Sequence, residues 1–147
     1  MTASFHVDDD GFVRAPAPLV YRRLTDIGSW SRWWTGVRVT RLDTPDEQWA
    51  IEMARGRWRG LRATIRPHTY RHDHGFTLAF SGDVSGDAEF WLEPGHRGTV
   101  VHHYAGLATD LPLLRTITTY RAVLRSGLWG LKDDLHVEVR TAIGLQP

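Results

Sequence analysis

Two adjacent histidines, His102 and His103, are the residues of this chain best suited to moving a proton. An imidazole changes charge near neutral pH and can act as acid or base there. Both lie in a stretch, Thr99 to about Leu107, that reads as a strand. Neighbours on a strand point to opposite faces, so the two rings cannot hold one metal together from that strand. His103 shares a face with Val101 and Ala105 and is the one expected in an interior pocket. There it either exchanges a proton with a substrate or is a core histidine hydrogen-bonded to a neighbour. Arg121, beside Tyr120, lies near the apolar stripe of a long predicted helix, where a guanidinium can bind a carboxylate or an enolate oxygen. The alternative is an arginine snorkelling from the stripe's edge. Arg62 and Arg66 offer similar chemistry. His72-Asp73-His74 has the look of a metal clip, but Gly75 follows and no third ligand is identifiable, so an exposed turn and no metal are expected. The chain carries no Ser-His-Asp arrangement, no Gly-rich phosphate loop and no H-E-x-x-H, which argues against a hydrolase, a nucleotide-dependent enzyme or a zinc protease. No cofactor is expected.

Composition bounds the rest. A chain of 147 residues, 41% hydrophobic and 24% charged, is expected to form one domain, 1–147, with a real core. No apolar run approaches the roughly 20 residues that span a membrane. The first ten residues lack the basic and apolar segments of a signal peptide, so a cytoplasmic location is expected. There is no cysteine, which removes disulfides, thiolate metal sites and thiol nucleophiles. The 18 basic and 17 acidic residues are interspersed, with no basic face for nucleic acid. Arg22-Arg23 reads as a solvated helix face. Seven tryptophans are too many for so small a domain to bury fully, so some are expected to line a cleft.

Along the chain, Phe5 to Arg14 reads as a strand, with Asp8-Asp9-Asp10-Gly11 as a bend or bulge. Ala15-Pro16-Ala17-Pro18 ends it, and Pro18 suits the first turn of a helix carrying Leu19, Val20 and Leu24. A second short helix places Trp30, Trp33 and Trp34 at helical spacing behind Ser29 as N-cap. Strand-like segments follow at Val37–Asp43, Gln48–Ala54, Trp58–Pro67, Phe76–Phe80, Ala88–Leu92 and Thr99–Leu107, separated by short turns, as in an antiparallel meander. Alternation turns Trp49, Ile51, Phe76, Leu78, Phe80, Ala88, Phe90, Leu92, Val101 and His103 inward, and Glu52 and Glu89 outward. From Leu111 to Ile143, apolar residues recur at steps of three and four, through Leu113, Ile117, Tyr120, Leu124, Leu128, Leu131, Leu135, Val139 and Ala142. Asp110 is the candidate N-cap, Pro112 fits the first turn, and Gly144 is a natural stop. Gly127 and Gly130 either let this helix approach the sheet closely or mark a kink.

Several segments resemble the START-like (SRPBCC) superfamily, and most closely its polyketide cyclase/dehydrase and lipid-transport family. Val13 to Asp26 resembles the family's opening, where a strand ends in Ala-Pro and a helix ends in Leu-x-Asp. Trp30-Ser31-Arg32-Trp33-Trp34-Thr35-Gly36-Val37 resembles its Trp-rich second helix. Leu92-Glu93-Pro94 with Gly98-Thr99-Val100-Val101 resembles its last hairpin, and Leu124 to Lys132 its closing helix. These are markers of architecture rather than of a reaction. The resemblance implies an α+β helix-grip (START/Bet v 1-like) fold. A curved antiparallel sheet of about seven strands wraps around the long C-terminal helix, with two short helices after the first strand.

A sheet gripping one helix is hard to fill, and the resemblance favours a cavity over a solid core. The expected function is binding of a hydrophobic, aromatic or polyketide-like small molecule, with cyclisation and dehydration as the reaction if the protein is an enzyme. His103 would then shuttle the proton, and Tyr120 and Arg121 would donate to an enolate. Trp30, Trp34, Trp49, Ile51, Phe76, Leu78, Phe80, Phe90, Leu92, Val101 and Leu124 would form the binding walls. Two alternatives use the same fold: a non-catalytic carrier or sensor, and an interaction module with a filled cavity and an apolar outer sheet face. No nucleic acid or membrane insertion is expected, and the chain is expected to be a monomer or homodimer.

Overall fold

The computed structural model describes residues 2–56 and 58–142. Seven antiparallel strands form one sheet: β1 (Ala3–Val13), β2 (Val37–Arg41), β3 (Trp49–Met53), β4 (Leu61–Arg71), β5 (Gly75–Gly82), β6 (Val84–Gly95) and β7 (Gly98–Thr109). Their order in the sheet is β1-β7-β6-β5-β4-β3-β2. Every strand but the first therefore pairs with its neighbour in sequence, as a meander requires, and β1 returns to close the sheet beside β7. The helices are α1 (Ala17–Thr25), α2 (Trp30–Trp33), reached through a 3₁₀ turn at Ile27–Ser29, and α3 (Leu113–Ala142). The expected stop at Ile143 and Gly144 lies outside the described residues.

Period-two burial is clearest on β7, where Thr99, Val101, His103, Ala105, Leu107 and Thr109 are all buried. The acidic run Asp8-Asp9-Asp10-Gly11 makes no bulge: β1 keeps an unbroken register with β7 from Ala3 to Val13. The irregularity falls on β4, where the register against β5 shifts between His68 and Arg71 and Thr69 takes φ 52°.

The inner face meets α3 along Thr116, Tyr120, Val123, Leu124, Leu128, Leu131 and Leu135, all buried. The stripe starts later than the sequence pattern suggests, since Leu113 is exposed and Thr116 takes its place. The side chain of Ala142 lies outside those described. Asp110 does not cap the helix. Its carboxylate accepts from Thr2 Oγ1 at 2.6 Å, and Thr109 Oγ1 accepts the Leu111 amide. Gly127 and Gly130 do allow close approach, but to α2 rather than to the sheet, as Trp34 lies over Gly127 and the Trp33 carbonyl over Gly130.

Of the two adjacent arginines of α1, Arg22 is exposed, whereas Arg23 pairs with Asp134 and Glu138 of α3. Arg32 of α2 joins the same Asp134 carboxylate at 2.7 Å. One partly buried carboxylate thus ties both short helices to the long one. Asp134→Ala is expected to cost about 2 kcal/mol, between the ~0–1 of an exposed pair and the ~3–5 of a buried one. A urea titration showing a loss under about 0.5 kcal/mol would mean that the three charges are simply solvated.

Candidate functional site

The Trp-rich helix and the closing helix face each other across the concave sheet, and the space between them is a small apolar chamber. Trp30 and Trp34 form one wall. Ile51, Met53, Leu78, Phe80 and Phe90 line the sheet side, and Tyr120, Val123 and Leu124 come from α3. Both indoles spend their N–H groups on backbone: Trp30 Nε1 donates to Leu24 O at 3.0 Å and Trp34 Nε1 to Val123 O at 2.7 Å. They therefore present only ring faces and edges to the interior. The rings pack with centroids 5.0 Å apart for Trp30–Trp34 and 6.4 Å for Trp34–Phe90, within the range of favourable aromatic pairs.

One polar pair faces this lining. His103 Nε2 and the Tyr120 hydroxyl are 2.7 Å apart, and both residues are buried. Burial holds the imidazole neutral, lowering its pKa to about 3, and pushes the Tyr120 phenol well above its usual range. Phe90 lies 4.5 Å from the His103 ring, centroid to centroid. The carboxylate of Asp9, cross-strand from His103, turns instead to Arg125 at 3.4 Å. His103 Nδ1 is buried with no hydrogen-bond partner among the described residues. Such a group costs roughly 1–3 kcal/mol if left unsatisfied, and native interiors rarely tolerate one without use. With the phenol as donor to Nε2, Nδ1 carries the proton and offers a donor to an oxygen of a bound molecule. In the other tautomer it offers an acceptor.

The chamber is tighter than the sequence implies. Its free volume is about 20 Å³, room for about one water molecule. The indoles and phenylalanines that make the walls also fill the hollow. Beside it opens a much larger groove of about 1000 Å³, lined by Arg55, Trp58, Pro112, Leu114, Arg115 and Thr119. Groove and chamber adjoin. Met53 lines the chamber and Arg55, two residues on, the groove; on α3 the neighbours Tyr120 and Thr119 divide the same way. Trp58 lines the groove with the Arg115 guanidinium 5.8 Å over its ring.

The structure brings together His103, Tyr120, Trp30, Trp34, Ile51, Leu78, Phe80, Phe90 and Leu124. It does not bring Arg121, which is exposed. One residue along a helix is a rotation of about 100°, so the position after an inward Tyr120 leaves the stripe. Arg62 and Arg66 are also on the outer face, Arg62 facing Glu52 at 3.6 Å. Trp49 is only half-buried. Its indole donates to Glu47 at 2.8 Å and its ring edge lies over Gly28, away from the chamber. Phe76, Leu92 and Val101 are buried but stand outside the lining: Phe76 stacks behind Phe90 at 5.7 Å, and Leu92 and Val101 pair across β6 and β7 in solid core. Met53 and Val123 line the chamber without having been singled out. Val123 follows Tyr120 by three residues, a spacing that carries the signal. His102 is on the outer face, stacked on Trp91 at 4.9 Å and bonded to Glu93 at 2.9 Å. His72 and His74 lie exposed at the β4–β5 turn.

No family model matches the sequence, and no curated protein matches it. Solved structures do. TTHA0849 from Thermus thermophilus superposes with a TM-score of 0.76 at 16% identity, covering 91% of this chain and 99% of that one. The Zhui aromatase/cyclase from Streptomyces sp. R1128 gives 0.76 at 15% identity, covering 95% and 98%. Norcoclaurine synthase from Thalictrum flavum gives 0.69 at 10% identity, covering 95% and 98%. This chain has the helix-grip fold. At these identities the likeness is one of architecture, and in a helix-grip domain the long helix and the concave sheet face are the parts that enclose the chamber described above.

Proposed function

We propose that this helix-grip protein binds a small, flat, apolar molecule bearing one oxygen, taken up through the Trp58 groove into the chamber. The unpartnered His103 Nδ1 carries this reading. An apolar core has no use for a buried imidazole with one nitrogen idle, whereas a ligand oxygen would satisfy it. The tight chamber then opens by rotation of its ring side chains as the guest enters. A reaction fits the same atoms. In the tautomer with Nδ1 bare, His103 would take the α-proton of a bound ketone at Nδ1 and release its Nε2 proton through the Tyr120 hydroxyl to the carbonyl oxygen, leaving a neutral enol, with positioning supplied by the walls. Cyclisation with dehydration is such a chemistry, and two proteins of like fold are named as an aromatase/cyclase and a synthase. A carrier or sensor would use the walls and the hydrogen bond alone; tight binding without product in a mass-spectrometric assay separates the two.

The test compares 2-naphthol with naphthalene by fluorescence titration. The wild type is expected to prefer the naphthol by about tenfold, the worth of one satisfied buried polar atom. His103→Leu/Tyr120→Phe, which removes both polar partners together, is expected to bind the two alike. Equal affinities in the wild type would sink the assignment of His103. Native mass spectrometry of freshly purified protein would show whether an apolar guest co-purifies.

The near-filled chamber favours a second reading, an interaction module that docks through its outer sheet face. Trp91 and Tyr104 there are 46% and 53% exposed. On this reading neither naphthalene nor naphthol binds, and replacing Trp91 and Tyr104 with serine abolishes association with a partner.

A further inference from the structure

At the other end of α3, far from the Trp58 groove, a second open cleft of about 660 Å³ gathers Arg14, His96, Arg97, Lys132 and His136, with Asp133 as its one carboxylate among the described residues. Lys132 is thirteen residues from Thr119, so the two sites stand about 20 Å apart along the helix. The charge here is not inherited from the whole chain, whose formal net charge is only +1. Among the described residues, Arg14, Arg97 and Lys132 have no carboxylate within ion-pair distance, whereas Arg23, Arg32, Arg59 and Arg125 all do. Lys132 instead lies 4.6 Å over the Trp129 ring. Like charges collected around one cleft repel unless an anion joins them.

The backbone at Arg97 adds an independent observation. His96 and Arg97 form the two-residue tip between the paired Gly95 and Gly98, and Arg97 takes φ 67°. Glycine or asparagine suits that left-handed position, and a long side chain is strained there. The tip thus holds an arginine where the turn alone favours glycine. Arg14 and Arg97 also border a second, apolar depression of about 540 Å³ floored by Pro16, Pro18, Pro94 and Val139. On the cleft side, Phe12 is 37% exposed.

We propose that this cleft binds an amphipathic anion, a phosphate monoester of an apolar alcohol. Its head sits among Arg14, Arg97 and Lys132, and its apolar part on Phe12 or the proline shelf. Three fixed cations and two imidazoles suit a dianion, and guanidinium groups match phosphate oxygens in pairs.

The test is an NMR titration of the full chain with phenyl phosphate at fixed ionic strength, inorganic phosphate in parallel. Saturable shifts at Phe12, Arg14, Arg97 and Lys132 are expected, with phenyl phosphate several-fold tighter. Arg97→Gly relieves the strained turn, so it is expected to keep or raise stability while weakening binding about tenfold, the scale of one charge-assisted contact. Lys132→Gln should act likewise, and Arg66→Gln, on the outer sheet, should leave affinity unchanged. Non-saturating shifts, wild-type affinity in Arg97→Gly, or an equal loss in Arg66→Gln would each overturn the site. Equal affinity for the two phosphates would overturn the apolar half. Vesicles carrying a phosphate-monoester lipid distinguish a membrane-borne head group from a free one: Arg97-dependent sedimentation supports the former, and saturation by phenyl phosphate alone the latter.

Discussion

Gly130→Ala is expected to lower stability by about 2–3 kcal/mol. A methyl group in a solvent-facing helix would instead raise it, by up to ~1 kcal/mol in helix propensity. The added Cβ would fall on the Trp33 carbonyl oxygen and close to its carbon at 3.2 Å. A backbone carbonyl cannot rotate away as a side chain can, so α2 and α3 must separate, and overpacking of this kind costs roughly 1–3 kcal/mol. Separation also disturbs the Trp34–Val123 hydrogen bond that seats the chamber wall. Gly127→Ala differs in kind, because its Cβ meets the Trp34 indole rather than backbone. Trp34→Phe should therefore recover part of the loss caused by Gly127→Ala and none of that caused by Gly130→Ala. Urea midpoints of the four variants decide this. An unchanged or raised midpoint for Gly130→Ala would show that the helices are not held at the spacing described.

How far each feature could be read in advance follows from its physics. The alternation of Val101, His103 and Ala105 has period two, and the spacing of Tyr120, Leu124, Leu128, Leu131 and Leu135 follows the helical turn. Both are local, and both place His103 opposite Tyr120 once the sheet curves. The exposure of Arg121 was equally legible, since a turn of about 100° past Tyr120 carries it away from the stripe that Tyr120, Val123 and Leu124 share. Trp49 obeys the alternation, yet at the start of a short strand near the sheet's edge it meets Gly28 and Glu47 instead of the interior. The size of the chamber was not legible. It depends on how the rings of Trp30, Trp34, Phe80 and Phe90 turn, and no periodicity encodes a rotamer. The basic cleft was hidden for another reason. Arg14, Arg97 and Lys132 come from the turn after β1, a hairpin tip and α3, and only the tertiary fold assembles them.

The second large effect concerns pH. His103 is neutral in the folded protein with its pKa lowered to about 3 by burial, against about 6.5 in an unfolded chain. The sign follows from proton count. Below about pH 6.5 the unfolded state takes up a proton that the folded state refuses until about pH 3, so acid favours unfolding across that window. The stabilisation attributable to a neutral His103 is thus complete above about pH 6.5 and is lost progressively as pH falls towards 3. Between pH 7 and 4.5 the loss is roughly 2–3 kcal/mol from this one group. The carboxylates of the surface ion pairs contribute their own acid loss, so the comparison is with His103→Leu/Tyr120→Phe, which keeps those pairs and lacks the imidazole. Denaturant titrations at the two pH values should give a wild-type loss exceeding that of the double variant by about that amount. Coincident losses would mean that His103 finds a proton-stabilising partner in the folded state, and the apolar chamber that gives its idle nitrogen a purpose would be wrong. A guest oxygen bonded to Nδ1 of the neutral ring makes the complementary case. Its binding should weaken as the ring is forced to protonate, in step with unfolding rather than before it, because no charged group among the described residues lines the chamber to let imidazolium form while the fold is intact.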